Sequence, residues 1–461
     1  MFTLQDVLTG TGGRLASGNP NTVFRAAAID SRSVARGDLF IAFRGQKHDG
    51  HQFVTHALAR GAAGALVEAL PAQEPWASPD WDGPPIVLTD SSGQALQDLA
   101  RYWRSQHQVR VVGVTGSVGK TTTKEMIANV LAQHLPVLRS PANLNTEIGL
   151  PLTLMNLDRT HRAAVLEMGM YDVGDIARLA SIARPSIGVV TVVQPTHLQR
   201  LETIERIAQG KSELPRALPS DGTAILNWDD ERVRAMQGLT AAASVFYGLA
   251  PEADVRASDI ESHGLRGIEF TAHFRGAQLR VKMDVLGAHS VHSALATIAV
   301  ALQFGLSFED AVAALKRVPG GLRLVVADGI RGSTILDDTY NANPASMLAA
   351  LNLLAEMEGR RVGVLGDMLE LGSYEWEGHR LVGRRAAAVC DWLITLGPRA
   401  RTIAQEAVGA GMSPNAVESY DRIEQIVARL ETGLRPGDFV LFKGSRGMQL
   451  DHVASAIRVA A

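Results

Sequence analysis

The segment between residues 110 and 131 constrains the fold more than any other part of the chain. An apolar run at residues 111–114 leads into the turn Thr115-Gly-Ser-Val-Gly-Lys-Thr121, and apolar residues then recur at helical spacing up to Leu131. This order predicts a strand, a loop and a helix. Backbone N–H groups at such a helix start attract phosphate oxygens. The chain is therefore expected to contain an α/β domain that binds a nucleotide.

The turn follows the short pattern T-G-x-x-G-K-T, because Val114 stands where the longer phosphate-loop pattern has glycine. Lys120 can reach the outer phosphates of a nucleotide, and the hydroxyl of Thr121 can ligate Mg²⁺. A glycine-rich turn without a ligand is the alternative interpretation. The flanking strand and helix favour phosphate binding, since both lie where the mechanism requires them.

Composition narrows the class of protein. The 461 residues suffice for about three domains, and 46% hydrophobic with 20% charged residues is ordinary for a globular protein. The net charge of -3 gives no electrostatic case for binding nucleic acid or a membrane surface. Cys390 is the single cysteine, so we expect neither an internal disulfide nor a cysteine-based zinc site. We expect a cytoplasmic protein without a signal peptide or a membrane-spanning segment.

Alternation of strand-like and helix-like segments divides the chain into three predicted domains, at residues 1–85, 86–317 and 318–461. The expected fold class is α/β. A small N-terminal domain would precede a central, doubly wound and mostly parallel sheet that carries the phosphate loop, and a Rossmann-like domain would follow. The break Pro319-Gly-Gly321 separates the last two domains and is a natural hinge.

In the first domain, residues 39–43 predict a strand and residues 51–64 a helix, followed by a proline-rich linker at residues 70–85. Four polar residues flank the strand: Ser31, Arg32, Lys47 and His51. Grouped around one end of the strand, they would form a pocket for an anion or a nucleotide. Their spacing alone favours the other interpretation, a solvated and charged loop.

In the central domain, three further strands are predicted, at residues 163–166, 187–193 and 223–226. Ligands of such sheets bind at the carboxyl ends of the strands. Glu167 follows the first of these strands, and His197 lies four residues past the second. Oxygen ligands suit Mg²⁺, so Thr121 and Glu167 could flank a triphosphate. A solvated carboxylate at Glu167 and a structural histidine at His197 remain open alternatives.

Two other polar positions of this domain have equally open interpretations. Asn145 and Thr146, in the loop at residues 143–151, could bind an amide or a sugar, but turn stabilisation explains them equally well. Lys211, on a helix predicted at residues 204–214, is by itself typical of a surface lysine. The third domain has predicted strands at residues 333–336, 361–365, 391–396 and 439–442, each followed by a polar loop or a helix.

Six segments together resemble the Mur ligases of peptidoglycan synthesis, in the same order and across all three domains. They are residues 30–50, 115–122, 143–151, 337–347, 365–372 and 443–447. The resemblance implies an amide ligase that uses ATP and Mg²⁺. The motifs Asp337-Asp-Thr-Tyr-Asn-Ala-Asn-Pro344 and Leu365-Gly-Asp-Met-Leu-Glu-Leu-Gly372 are similar to those of the family member that joins D-alanyl-D-alanine to UDP-N-acetylmuramoyl-tripeptide. The D-N-P-R motif of the relatives that add diaminopimelate is absent from the sequence.

The resemblance also implies roles for individual residues. It assigns the ATP phosphates to the phosphate loop, namely Gly116, Ser117, Val118, Gly119, Lys120, Thr121 and Thr122. It assigns the ATP ribose to Asp338, Tyr340 and Asn343, and the substrate to Ser31, Arg32, Asn145 and Thr146. Catalysis and metal binding would rest on Lys120, Thr121, Glu167, His197 and a carbamylated Lys211. The family's helix motif His-Asn-x-x-Asn is here His289-Ser-Val-His-Ser293, so its asparagine contact with adenine is not transferred.

The implied reaction converts the tripeptide carboxylate into an acyl phosphate, which the amine of D-alanyl-D-alanine then attacks. The third domain would close over ATP about the hinge and exclude water. We expect a monomer that acts on small molecules. Two alternatives are kept, the related ligase that adds the third amino acid and a phosphate-loop switch or transport ATPase. The latter would need neither the Asp30-Ser-Arg segment nor the Tyr340-Asn-Ala-Asn-Pro loop.

Overall fold

A computed structural model describes residues 1–45, 48–71, 73–78, 80–141, 144–196, 198–321 and 324–459. Three large β-sheets follow one another along the chain, each with helices packed on it. The predicted α/β class and the mostly parallel central sheet are confirmed. Within the described ranges, no helix has the length and apolar character needed to cross a bilayer.

The N-terminal part of the chain forms a five-stranded sheet in the order β2-β7-β6-β5-β4, with β1 and β3 paired separately. Its strands are β1 (Phe2–Thr3), β2 (Arg14–Ser17), β3 (Val23–Phe24), β4 (Ala27–Ala28), β5 (Leu39–Ile41), β6 (Gly64–Val67) and β7 (Ile86–Leu88). Its helices are α1 (Leu4–Thr11), α2 (Val54–Ala59) and α3 (Ser92–Ser105).

Three sequence expectations for this part were wrong. The predicted start of the central domain, residue 86, is the first residue of β7, but this strand pairs with β6 and β2 and therefore completes the first sheet. The helix predicted to reach residue 64 ends at Ala59, because Gly61 turns the chain at a φ of 102° and Gly64 already begins β6. The predicted linker contains Trp76, which is 2% exposed and belongs to the apolar core.

The central sheet has nine strands in the order β16-β15-β14-β13-β12-β11-β8-β10-β9. The strands are β8 (Arg110–Thr115), β9 (Val137–Arg139), β10 (Ala163–Glu167), β11 (Ile187–Val190), β12 (Thr223–Asn227), β13 (Ala243–Gly248), β14 (Val255–Ser262), β15 (Ile268–Phe274) and β16 (Ala277–Met283). The helices are α4 (Lys120–Ala132), α5 (Gly149–Leu154), α6 (Asp175–Ala183), α7 (Leu198–Leu201), α8 (Ile204–Arg216), α9 (Glu231–Arg234), α10 (Ser290–Gln303) and α11 (Phe308–Leu315).

Both faces of this sheet are covered, as expected for a doubly wound domain. In β8, Val111 packs into the core beneath α3 and α6, whereas Val112 and Val114 pack into the opposite core beneath α4 and α10. Strands β8 to β14 are parallel, but β15 and β16 are antiparallel. The four strands from β13 to β16 were not predicted. Strand β11 was predicted to reach residue 193 but ends at Val190.

The C-terminal sheet has six strands in the order β17-β18-β22-β19-β20-β21, parallel except for β17. The strands are β17 (Val325–Gly329), β18 (Ser333–Asp337), β19 (Arg361–Gly366), β20 (Trp392–Leu396), β21 (Val417–Tyr420) and β22 (Phe439–Lys443). The helices are α12 (Pro344–Ala355), α13 (Glu375–Val389), α14 (Arg401–Gly409), α15 (Ile423–Gly433) and α16 (Leu450–Ala456). The four strands predicted here are all present.

The C-terminal part docks directly on the central one. Glu370 accepts a hydrogen bond from the backbone N–H of Gln199, in α7, at 3.3 Å. At Gly372, which has a φ of 53°, a Cβ atom would lie 2.7 Å from the backbone N of Gln199 and 2.8 Å from the carbonyl oxygen of Leu198. The two parts therefore meet so closely that only glycine fits at residue 372.

We predict that Gly372→Ala weakens this contact. An alanine in the left-handed backbone conformation destabilises a protein by roughly 1–2 kcal/mol. At residue 372 its methyl group would also clash with the backbone of α7. The matched control is Gly411→Ala, because Gly411 has a φ of 102° and no atom within 4 Å of an added Cβ. Small-angle scattering should give a larger radius of gyration for Gly372→Ala than for the wild type or the control. Identical scattering from all three proteins would contradict the prediction.

Candidate active site

The phosphate loop joins β8 to α4 and has two glycines at positions where other residues are strained. Gly116 has a φ of 144°, and a Cβ atom there would lie 1.8 Å from the Oγ1 of Thr191. Gly119 caps α4 with a φ of 85°. The first turn of a helix leaves its N–H groups without helical partners. Such amides attract phosphate oxygens, as the phosphate-binding interpretation requires.

The residues that directly follow β11 hold the phosphate loop by hydrogen bonds. The Ser117 N–H donates to the carbonyl oxygen of Val192 at 2.7 Å, and the Thr191 hydroxyl donates to that of Val118 at 2.6 Å. The Ser117 hydroxyl exchanges hydrogen bonds with the backbone of Gln194, both at 2.9 Å. These bonds fix the loop before any ligand binds.

Lys120 is the first residue of α4 and folds back over the loop. Its ammonium group donates to the carbonyl oxygens of Gly116, at 2.8 Å, and of Ser117, at 3.3 Å. A positive charge is thereby held at the surface where the phosphates are expected.

Thr121 and Glu167, which the sequence predicts as magnesium ligands, are in contact. The hydroxyl of Thr121 donates to Oε2 of Glu167 at 2.8 Å, and the side-chain amide of Asn145 donates to Oε1 at 2.9 Å. Glu167 is 3% exposed, so its carboxylate is held in one orientation at the carboxyl end of β10.

This pair fits Mg²⁺, which prefers hydroxyl and carboxylate oxygens and keeps several waters and phosphate oxygens as its other ligands. Across the described ranges, no three histidine, cysteine or carboxylate side chains are grouped as a metal site. A magnesium site at Thr121 and Glu167 would therefore be completed by the nucleotide and by water rather than by a protein cage.

Lys211 lies in α8 and is 3% exposed. Burial, together with the positive charge of Lys120, holds the pKa of its amine well below the ordinary value. The surface-lysine interpretation is therefore wrong. A lysine that loses its proton readily is also one that can react as a neutral amine.

These residues line one cleft of about 750 Å³ between the central and C-terminal parts. The central part contributes the phosphate loop, Glu167 and Lys211. The facing wall comes from the loops that follow β18, β19 and β22, including Tyr340, Glu370 and Arg446. The cleft is large enough for a nucleotide triphosphate end and a second ligand.

A second cavity of about 520 Å³ lies on the other side of the phosphate loop, which contributes Val118 and Gly119 to both. Its lining includes Asp229 and His292, whose Oδ2 and Nε2 atoms are 2.8 Å apart. Burial favours the neutral acid, but hydrogen bonds from His292 and two backbone amides keep the pKa of Asp229 below its ordinary value.

Comparisons with known proteins agree with this arrangement. Residues 114–301 match the Mur ligase middle domain, residues 322–446 the Mur ligase, glutamate ligase domain, and residues 24–145 the Mur ligase family, catalytic domain. The chain is 34% identical to UDP-N-acetylmuramoyl-tripeptide--D-alanyl-D-alanine ligase of Bacillus subtilis, over 98% of this chain and 97% of that one. The chain belongs to the Mur ligase family.

Two solved Mur ligases have the same fold. MurF from Acinetobacter baumannii is 29% identical, with a TM-score of 0.86 over 98% of both chains. MurF ligase from Thermotoga maritima, solved in complex with ADP, is 32% identical, with a TM-score of 0.78 over 94% of this chain and 96% of that one. The resemblance inferred from six sequence segments is thereby confirmed.

The Mur ligase cleft brings together most of the predicted site residues, but not all. Gly116 to Thr121, Asn145, Thr146, Glu167, Lys211, Tyr340 and Asn343 line it, and Thr122 lines the second cavity. The side chain of Thr146 accepts from the Gly149 N–H, and that of Asn343 caps α12 by accepting from the Ser346 N–H. His197, Lys47 and Asn143 lie outside the described residues.

Four residues with predicted roles are not among those that line the two cavities. Asp338 binds the fully buried ammonium group of Lys443. Ser31 is buried, and Arg32 lies on the surface, where its hydrogen bonds lower the pKa of Asp30 to about 2. His51 is structural, since its Nδ1 contacts Asp49 and its Nε2 accepts from the Glu68 N–H.

Sequence reasoning missed most of the second cavity, including Thr191, Asn227, Asp229, Tyr247 and His292. Thr191 directly follows β11 and Asn227 ends β12, so the rule that identified Glu167 applies to both. The two serines at the family's asparagine positions face protein groups. Ser290 donates to the carbonyl oxygen of Leu286, and Ser293 accepts from the hydroxyl of Thr123.

We predict that Gly116→Ala abolishes nucleotide binding. The new methyl group would overlap Thr191, whereas Gly119→Ala, which is also at a positive φ, meets no atom closer than 4.0 Å. Calorimetric titration with ADP should show no binding for Gly116→Ala and weakened binding for Gly119→Ala. Equal affinities of the two variants would contradict this.

Lys211 gives a prediction for stability against pH. Burial lowers the pKa of its amine from the 10.5 of an ordinary lysine, so the ammonium form disfavours folding, and this penalty fades as the pH rises from the lowered pKa to 10.5. Lys211→Met should therefore increase the free energy of unfolding near neutral pH, and the gain should shrink as pH rises towards 10.5. Urea unfolding in carbon dioxide-free buffers measures both. Lys282→Met, at an exposed strand position, is the control. An increase in the free energy of unfolding of Lys211→Met that grows with pH would contradict the prediction.

Proposed function

We propose that this Mur ligase joins D-alanyl-D-alanine to UDP-N-acetylmuramoyl-tripeptide with the conversion of ATP to ADP and phosphate. The observation that carries the proposal is the convergence of Lys120, Thr121 and Glu167 at one cleft, opposite loops of the C-terminal domain. Curated relatives with this activity in their names match the chain over nearly its whole length, at 34% identity in Bacillus subtilis and 35% in Escherichia coli.

The chemistry follows from the weak electrophilicity of a carboxylate. An oxygen of the tripeptide carboxylate attacks the γ-phosphorus of ATP, ADP leaves, and an acyl phosphate forms. The amine of D-alanyl-D-alanine then attacks the carbonyl carbon, loses a proton, and expels phosphate as the amide forms. Catalysis of such transfers consists mainly of positioning and charge stabilisation.

The chain's own residues supply both. The loop amides would orient the phosphates, and Lys120 would move from its loop carbonyls to the transferred phosphoryl group. Mg²⁺ held by Thr121 and Glu167 would neutralise charge on the phosphate oxygens. A second ion is proposed at Glu167 and His197, with a carbamylated Lys211 as a further metal ligand, since a buried neutral amine is the form that takes up carbon dioxide.

The C-terminal domain would complete the site. Its contact with α7 places Tyr340, Glu370 and Arg446 across from the phosphate loop, and closing the cleft protects the acyl phosphate from water. We keep Asp338, Tyr340 and Asn343 as proposed contacts of the nucleotide ribose, Asn145 and Thr146 as contacts of the tripeptide substrate, and Ser31 and Arg32 as contacts of its uridine-diphosphate end. A monomer acting in the cytoplasm remains our expectation.

Phosphate release tests the function. We predict that ATP is consumed only when both UDP-N-acetylmuramoyl-tripeptide and D-alanyl-D-alanine are present. Comparison of tripeptides that end in diaminopimelate, lysine or ornithine gives the preferred third residue. Turnover in the absence of either substrate would exclude the ligase and support a switch or transport ATPase. Addition of a single amino acid to the dipeptide precursor would instead identify the related ligase.

Two lysine variants test the phosphate contact proposed for Lys120 and the carbamate proposed for Lys211 separately. Lys120→Ala should lose activity through loss of the phosphate contact. Lys211→Ala should also lose activity, and high bicarbonate should not restore it, because alanine has no amine to carbamylate. Steady-state rates at saturating ATP measure both. Normal activity of Lys211→Ala would contradict the carbamate assignment.

A further inference from the structure

A second lysine of α4 is buried more deeply than Lys120. The side chain of Lys124 is fully buried, one helical turn beyond Lys120 and Thr121. Its Nζ atom donates to the carbonyl oxygen of Ser140 at 2.7 Å and lies 2.7 Å from a carboxylate oxygen of Glu125. Neither Ser140 nor Glu125 lines the cleft, so Lys124 does not bind a substrate directly.

Burial of an ammonium group is costly, and an apolar side chain of similar volume fills such a space with equal or greater stability. Unlike an apolar side chain, the lysine donates hydrogen bonds, and these fix the position of one carbonyl oxygen. The carbonyl oxygen that it holds belongs to Ser140, which directly follows β9.

Ser140 is fully buried and controls the backbone of Glu167. Its hydroxyl accepts a hydrogen bond from the Glu167 N–H at 3.0 Å, and its own N–H donates to Val165 at 3.1 Å. Five residues further along, Asn145 donates to Oε1 of Glu167. One segment of chain therefore holds both the backbone and the carboxylate of Glu167.

These contacts form a closed ring of hydrogen bonds. It runs from α4 through Lys124 and Ser140 to Glu167, and returns through Thr121 to α4. We propose that Lys124 and Ser140 are positioning residues that set the separation of Thr121 and Glu167 for a divalent cation. The inference rests on the proposed function only in its use of a metal-bound nucleotide.

Groups that orient metal ligands typically change metal affinity by about 10–100-fold when removed. Two variants break the ring at different points. Lys124→Met fills the same space without the donor and leaves Glu125 its ion pair with Arg139, at 3.0 Å. Ser140→Ala removes the acceptor for the Glu167 N–H and retains the carbonyl oxygen that Lys124 holds. The control Ser333→Ala removes a buried hydroxyl, bonded to Ile330 at 2.9 Å, from the C-terminal domain.

The experiment measures Mn²⁺ binding in the presence of ADP by electron paramagnetic resonance. The affinity for ADP in EDTA and the midpoint of unfolding in urea are measured for the same proteins. We expect both ring variants to bind Mn²⁺ about tenfold more weakly, with metal-free ADP affinity unchanged and the control equal to wild type. This split would not arise from a merely structural role, which would weaken both affinities together.

Unchanged Mn²⁺ affinity in the variants, or a parallel loss of metal-free ADP affinity, would overturn the inference. Should Lys124→Met fail to fold, Ser140→Ala decides the question alone. Failure of the wild-type ADP complex to bind Mn²⁺ would overturn the proposed function and this inference together, whereas normal Mn²⁺ binding by the wild type with unaffected variants overturns the inference only.

Discussion

The buried carboxylate of Glu167 is the constraint on which the rest of the site depends. A carboxylate that is 3% exposed is costly unless its oxygens are occupied. Here Thr121 and Asn145 each occupy one oxygen. Because Thr121 belongs to the helix that begins at the phosphate loop, the same hydrogen bond that stabilises the carboxylate also fixes it relative to the phosphates. A metal ion would then require little rearrangement of the protein.

Support for the loop comes from the opposite side. Thr191 and Val192 hydrogen-bond to Val118 and Ser117, so that Gly116 cannot be enlarged without disturbing the residues that follow β11. The central sheet thus holds the phosphate end of the site rigidly, and the C-terminal domain approaches it through the contact at Gly372. A rigid phosphate site on one domain and a second domain that approaches it suit an enzyme that must bind several substrates and then exclude water.

Much of this arrangement could be predicted from the sequence, because the rules involved are local. A strand, a glycine-rich turn and a helix identify the phosphate loop, and the carboxyl end of a strand identifies Glu167. The long-range pairings could not be predicted in this way. Periodicity does not show that β7 joins the first sheet, that Asp338 pairs with Lys443, or that Lys211 is buried. Each depends on which distant segment packs against it.

We propose that the cleft transfers a phosphoryl group to the substrate carboxylate before the amide forms. Tripeptide labelled with ¹⁸O in its terminal carboxylate tests this most directly, with the released phosphate examined by ³¹P nuclear magnetic resonance. An acyl phosphate leaves one carboxylate oxygen on phosphorus, so with both oxygens labelled we expect phosphate carrying a single ¹⁸O atom for each amide formed. Unlabelled phosphate released during amide formation would contradict it.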